Sequence, residues 1–282
     1  MPAVQTALWE FADAYANAVA TVLPYLGQDR LGGLGRHNPA WGPGRFDVAT
    51  YLDESVIRYG HALRLLAQSP SPLAAGASVL DVGGFMGAFP LTLVRLGYRV
   101  TLSERYDYYD GAFDDLCARL IAEGVEVLDV DFTEDEISTD RRFDAITNMA
   151  MLEHLAHTPK PLMGNLRNAL VRDGVLVVEV PNVAYWPKRL AALFGDSTLP
   201  PLRDVYDAAV PFTGHHREYT KRDLRNVLEW SGFRVDDLIS YNYTPSGGGP
   251  WHQRLVWEWP QQRFQTLREV LMARASLSET TQ

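Results

Sequence analysis

The sequence predicts an α/β fold, a doubly wound sheet in which strands and helices alternate, and two stretches carry that prediction. In Ser78–Glu104 the apolar run Val79, Leu80, Val82 enters the turn Gly83-Gly84-Phe85-Met86-Gly87, and Phe89, Leu93 and Leu96 follow at helical spacing. Gly97 closes that segment, and a second apolar run from Tyr98 to Leu102 ends on Glu104. Strand, glycine turn, helix, strand is the first unit of a doubly wound sheet, which holds ligands at the carboxyl ends of its strands. Far downstream, Gly174–Val180 reads GVLVVEV, the nearly continuous apolar run of a strand buried on both faces.

The other elements follow in chain order. Val4, Leu8, Phe11, Tyr15, Ala18 and Val22 form a helical stripe, and so do Leu52, Val56, Tyr59, Leu63 and Leu66 within Asp47–Gln68, which Pro70 and Pro72 end. A glycine-rich loop holding His37 and Trp41 separates the two. Residues 1–72 are thus a helical extension that either caps the substrate side of the sheet or only packs against it. A helix through Leu116, Leu120 and Ile121 stops at Gly124; Val125–Val130 and Phe143–Asn148 are the third and fourth strands. Thr158-Pro159 starts a helix carrying Leu162, Leu166 and Leu170. Residues 183–219 are a long excursion on the substrate side, and Thr220–Trp230 is a capped helix closed by Gly232. Phe233–Tyr243 and Leu255–Trp259 read as two final strands, completing a core over 73–260. Residues 261–282 read as a helix, Gln261–Ala275, with a polar tail.

Composition narrows the function. A net charge of −9 lacks the basic face of a nucleic-acid binder, so no nucleic-acid partner is expected. A single cysteine, Cys117, excludes an internal disulfide framework and a cysteine metal site. No apolar run reaches membrane-spanning length and no signal core opens the chain, so a cytoplasmic enzyme is expected. The oligomeric state is not legible.

Glycine in the first turn lets the backbone bend sharply and approach a ligand, and an acid ending the second strand can accept from two ribose hydroxyls. These features point to a nucleoside-containing cofactor. The nicotinamide fingerprint G-x-G-x-x-G fails, because Val82 stands where its first glycine belongs. What stands instead is Asp-x-Gly-x-x-x-Gly, Asp81 to Gly87, followed by Glu104. That turn, with Glu104, Asp131, the Phe143–His154 segment and the strand GVLVVEVPN, resembles the class I S-adenosylmethionine-dependent methyltransferases.

The resemblance implies a Rossmann-like, seven-stranded, mostly parallel sheet with an antiparallel last strand, preceded here by the N-terminal helices. It implies S-adenosylmethionine as cofactor. Gly83 and Gly87 would face its methionine part, Glu104 the ribose, Asp131 the adenine amino group and Phe132 the ring face. Asp81 would order the turn, and Asn148 and Met149 would line the methionine end. Asp131 also has a simpler reading, since Thr133-Glu134-Asp135-Glu136 is a capping box and Asp131 can belong to that turn. Methyl transfer asks mainly for positioning, which can supply roughly 7–11 kcal/mol, against ~10²–10⁴-fold from a general base. The base candidates are His154, His215 and His216, each with the alternative of a purely local structural role.

Some relatives hold a divalent ion through Glu-x-x-Glu-His after the fourth strand, in some with a later histidine, for which His215 or His216 would stand here. Ala150 takes the first glutamate's place before Glu153-His154, and the lost oxygen ligand argues against Mg²⁺, so no metal is expected. The acceptor end could be walled by Trp41, Tyr185, Trp186, Phe212 and Trp251, which suits a sugar ring or an aromatic small molecule. The expected function is O-methylation of a small molecule, sugar or glycan. The alternatives are a catalytically silent binding domain of the same fold and, behind it, a nicotinamide oxidoreductase.

Overall fold

The computed structural model describes residues 2–27, 33–69, 73–109, 111–133, 141–242 and 258–279. Seven strands form one sheet in the order β3-β2-β1-β4-β5-β7-β6. They are β1 Ser78–Val82, β2 Arg99–Ser103, β3 Glu126–Leu128, β4 Phe143–Met149, β5 Leu170–Pro181, β6 Phe233–Tyr241 and β7 Val270–Leu277. β1 to β5 run parallel, and β7 is antiparallel to both β5 and β6. The order reverses between β1 and β4, which opens a crevice at their carboxyl ends.

The helices are α1 Pro2–Val22, α2 Leu34–His37, α3 Val48–Ala67, α4 Ala88–Arg95, α5 Asp114–Ala122, α6 Lys160–Ala169, α7 Trp186–Leu193, α8 Leu202–Asp207, α9 Lys221–Trp230 and α10 Trp259–Arg263. Period-two alternation along the strands divides the core. Leu80, Val82, Ile146, Leu176 and Val178 face α6 and α9, meeting Leu162, Leu166, Leu224 and Leu228. Val79, Val100, Ala145, Val175 and Val177 face the opposite layer, where α3 supplies Ala62, Leu65 and Leu66 and α4 supplies Phe89 and Leu93. The stripe of α1, from Phe11 and Tyr15 to Ala18 and Val22, packs outside α4 against Met86 and Leu91.

Local chemistry sets the boundaries as the sequence predicts. Asp47 caps α3 by accepting from the Ala49 N–H at 3.0 Å. Thr220 caps α9 in a capping box with Asp223, each side chain serving the other's backbone N–H at 3.1 Å.

The C-terminal expectation is corrected. Val270–Leu277 is not part of a helix but the strand that joins β5 to β6. Leu271, Met272, Ala273 and Ala275 are all completely buried, because β7 is covered on both faces. A run buried on both faces has no period to separate strand from helix, and Leu, Met, Ala and Arg are strong helix formers. Of the expected helix, Gln261–Arg263 is the end of α10 and Gln265–Leu267 is a single 3-10 turn. The strand expected at Leu255–Trp259 falls largely outside the described residues; Trp259 itself opens α10.

Candidate functional site

A cleft of about 770 Å³ opens over the carboxyl ends of β1, β2, β4 and β5. One half is built on the first glycine turn. Gly83 (φ +77°) donates its N–H to the Ser103 carbonyl at 2.9 Å, tying the end of β1 to β2. A Cβ on Gly83 would lie 2.8 Å from Met151 Cγ, and one on Gly84 would lie 2.3 Å from Asp81 Oδ2, so both positions need glycine. Phe85 holds φ +46°, and its N–H donates to Glu104 Oε2 at 3.0 Å. The Arg105 N–H donates to the other oxygen of Glu104 at 3.0 Å, and the Tyr109 hydroxyl reaches it at 3.5 Å. Burial raises the Glu104 carboxyl above its ordinary range, against the pull of these donors. Glu104 is thereby fixed beside the turn, facing the cleft.

Asp81 is 2% exposed and accepts from the Thr147 hydroxyl. Burial pushes its carboxyl up to about 7; the Thr147 bond opposes that rise and the Glu104 charge adds to it. The other oxygen of Asp81 lies directly beneath Gly84.

At the far end of this half, Asp131 lines the cleft, its carboxylate held by two neighbours. Oδ1 accepts from the Thr133 N–H and hydroxyl at 2.7 and 2.6 Å, while Oδ2 accepts from Arg105 Nη1 at 3.1 Å. Burial would raise its pKa, but Thr133 and Arg105 outweigh burial and hold it low. The capping box expected at 133–136 runs beyond the described residues.

Three expectations for side chains around the cofactor half do not hold as stated. Phe132 borders the cleft but is 2% exposed, its side chain in the core with Leu162 and Met163. Asn148 is fully buried and does not line the cleft; its amide donates to the Val82 carbonyl at 3.0 Å and so locks β4 to β1. Gly87 (φ +71°) is also not a lining residue. It starts α4 where a Cβ would lie 2.4 Å from Leu120 Cδ1, a packing role. Met149 does line the cleft.

The other half is polar below and roofed above. Glu153, His154 and His215 offer ligand atoms that all lie within 4.8 Å of one another. The Glu153 carbonyl accepts from the His216 and Arg217 N–H groups at 2.7 and 3.3 Å, which joins the turn after β4 to the excursion. The excursion is anchored by Tyr219, 2% exposed, whose carbonyl accepts from the Val183 N–H, and by the Thr220 cap one residue later. His154 Nδ1 lies 2.8 Å from the Thr213 carbonyl; burial, then the neighbouring His215, push its pKa down to about 4. His215 Nδ1 lies 3.0 Å from Glu218 Oε1, and Lys188 pairs with the same carboxylate. His216 is held apart, with Nε2 2.9 Å from the Phe212 carbonyl.

Sequence reasoning missed the floor of this half. Glu179 on β5 is 1% exposed and accepts from Arg58 Nη2 and the Tyr241 hydroxyl, each at 3.3 Å. Burial raises both the Glu179 and Glu153 carboxyls. Arg58 lies off the apolar stripe of α3 and reads there as a solvent-facing charge. Only the fold shows that α3 is buried on a second side, through Ser55, Arg58, Ala62 and Leu65. Arg58 and Arg64 both fall within Ser55–Leu65, and nothing in the sequence marks Arg58 as the buried one.

The roof answers the question left by the N-terminal helices. α1 only packs, whereas Trp41, Tyr51, Arg58 and Tyr59 line the cleft. Trp41 stacks on Phe46 at 4.3 Å and meets Phe85 edge-on at 4.9 Å. The excursion closes on this segment: the Ala209 N–H donates to the Arg36 carbonyl at 2.8 Å, the Thr213 N–H to the His37 carbonyl at 3.0 Å, and Arg45 pairs twice with Asp204. Phe212 lines the cleft beside Trp41, Tyr185 and Trp186 do not, and Trp251 lies outside the described residues.

A sheet of this order with ligand groups gathered at its topological switch point can be set beside known proteins. A family model described as a methyltransferase domain matches residues 53–238. The chain belongs to this methyltransferase family. No curated protein matches it by sequence. Among solved structures, this methyltransferase is similar to magnesium protoporphyrin IX methyltransferase from Synechocystis PCC 6803 with bound SAH, at 14% identity and a TM-score of 0.53, over 88% of this chain and 95% of that one. It is also similar to the 1,6-didemethyltoxoflavin N1-methyltransferase of Burkholderia thailandensis, at 16% identity and 0.51, over 82% and 81%. A glycopeptide N-methyltransferase complexed with S-adenosylmethionine shares 15% identity and a TM-score of 0.50, over 77% and 92%. At these identities the likeness is one of fold.

Proposed function

We propose that this methyltransferase transfers a methyl group from S-adenosylmethionine to a hydroxyl of a small molecule, sugar or glycan. The residues of the cleft fit that donor. The observation that carries the reading is Glu104, a partly buried carboxylate fixed by the Phe85 and Arg105 N–H groups beside a turn that needs glycine at positions 83 and 84. A carboxylate has about four acceptor positions; the two N–H groups take one on each oxygen, and a pair of ribose hydroxyls would take the other two by displacing the Tyr109 hydroxyl, which reaches only to 3.5 Å. Gly83 and Gly84 let the backbone approach the methionine part, and Met149 borders it. Asp131, with Arg105 and Thr133 orienting it, is assigned to the adenine amino group.

The bound donor supplies an electrophilic methyl on a sulfonium. The protein's share is to place the acceptor in line with it and exclude water, the kind of positioning that is worth roughly 7–11 kcal/mol. His154 and His215 gather at the acceptor end, where burial keeps His154 neutral at pH 7. Trp41 and Phe212 give that end flat apolar walls, as a sugar or aromatic ring requires.

The test is transfer of labelled methyl to a panel of hydroxylated sugars and phenols. The expected product is a methyl ether, formed much more slowly by His154→Ala although that variant binds the donor normally. Transfer to amines alone would overturn the choice of acceptor. Donor binding without transfer to any acceptor would favour the silent-domain reading.

A further inference from the structure

We propose that the acceptor is a hydroxylated primary amine, an amino sugar or an amino-bearing phenol. Glu179 and Glu153 hold its ammonium group on the floor of the acceptor half while a hydroxyl of the same molecule takes the methyl. In that step the hydroxyl oxygen bonds to the methyl carbon, the C–S bond breaks with its electron pair left on sulfur, and the hydroxyl proton leaves to a base of the cleft or to water. The hydroxyl's part rests on the methyl-transfer reading above. The ammonium site does not.

The floor joins two carboxyls from different elements. Glu179 stands on β5 and Glu153 in the turn after β4; each is 1% exposed, and each lines the cleft. The Oε2 atom of each has no hydrogen-bond partner among the described residues. On Glu179 the Arg58 guanidinium and the Tyr241 hydroxyl both go to Oε1, at 3.3 Å, so Oε2 is the oxygen left over. A buried carboxylate oxygen without a donor carries its full desolvation cost, and a ligand that brings donors removes it.

Charge decides which donors those are. In this half Glu153, Glu179 and Glu269 line the cleft with one guanidinium, Arg58; the other cleft arginine, Arg105, is engaged by Asp131. No lysine is among the described residues that line it. Burial raises both the Glu153 and Glu179 carboxyls; the Glu179 charge adds to the rise at Glu153, and Arg58 draws both back. The floor is thus short of positive charge as well as of donors. An ammonium group brings both, with three N–H donors and no acceptor. A neutral hydroxyl brings one donor and no charge, and an anionic group meets repulsion.

The test is calorimetric titration of the full chain, saturated with S-adenosylhomocysteine, with matched pairs that differ only at the amino group: glucosamine against glucose, and tyramine against 4-ethylphenol. The same pairs are then assayed for transfer of labelled methyl. We expect the amino member of at least one pair to bind roughly 10–100-fold more tightly, the scale of a hydrogen bond to a charged group. That advantage should be lost in Glu179→Gln and reduced in Glu153→Gln, with donor affinity kept in both, and the product should carry its methyl on oxygen. Equal binding within every pair would overturn the ammonium site, and the native chain alone decides this even where a variant does not fold. An undiminished advantage in Glu179→Gln would also overturn it. Transfer to the neutral members without any preference for the amines would overturn the ammonium site and leave the methyl-transfer reading standing. A preference for the amines in binding, with transfer to none of the four, would count against the methyl-transfer reading instead. A methyl on nitrogen would overturn both, since the amine would then sit at the sulfonium and not on the floor.

Discussion

Asp81 shows how one residue ties the fold to the site. An unfolded aspartate titrates near 3.9, whereas in the fold burial, opposed by the Thr147 bond and reinforced by the Glu104 charge, pushes Asp81 up to about 7. Between those values the folded chain holds a proton that the unfolded chain has released. This group's contribution therefore falls as pH rises from about 4 to about 7, by on the order of 4 kcal/mol in all, and is flat above. Asp81→Asn is expected to remove that slope, which urea unfolding at pH 4.5, 6 and 8 would show. The place of Asp81 beneath the turn was legible in the sequence, because Asp-x-Gly-x-x-x-Gly puts an acid two residues before the turn's first glycine. The roles of Asn148 and Phe132 were not. Asn148 lies at the end of β4 and Phe132 follows β3, where a ligand is expected, and only packing shows that Asn148 bonds to Val82 and that Phe132 joins the core.

At the scale of elements, regular structure was legible wherever one face is exposed. α1, α3 and α9 carry stripes and caps, and they stand where the sequence places them. β7 carries no such signal, because neighbours cover both its faces. Its Arg274 looks like a helix surface charge yet pairs with Asp237 on β6. If β7 is the strand between β5 and β6, a chain ending at Arg268 loses the link to β6 and should not fold. Far-UV circular dichroism and gel filtration of that truncation would check this; a stable, monodisperse product would restore the peripheral-helix reading. The roof makes a milder prediction. Arg45 is half exposed, so Arg45→Ala should change stability little. By loosening the excursion from the N-terminal segment it should raise the acceptor KM several-fold and leave the donor Kd unchanged, as steady-state kinetics and calorimetry would show.

At the scale of the molecule, the cleft is assembled from parts far apart in the chain. The cofactor half comes from the first βαβ unit and is local, so the sequence alone brings Gly83 and Glu104 to one place, although it names Gly87 rather than Gly84 as the second cleft glycine. The acceptor half joins α3, the turn after β4, the core of β5 and the excursion, and the meeting of Arg58 with Glu179 spans 121 residues. Pairings of that kind leave no spacing in a sequence, which is why Arg58 and Glu179 were passed over. Among the described residues no helix is long and apolar enough to cross a membrane.

The measurement that tests the central claim most directly is calorimetric titration of the full chain and of Glu104→Ala with S-adenosylmethionine and its demethylated product. The account predicts micromolar binding of both by the native chain. It predicts a loss of roughly tenfold or more in Glu104→Ala, the scale of a hydrogen bond to a charged group. Equal binding by the two proteins would contradict the ribose assignment. No binding by a folded native chain would contradict the cofactor half altogether.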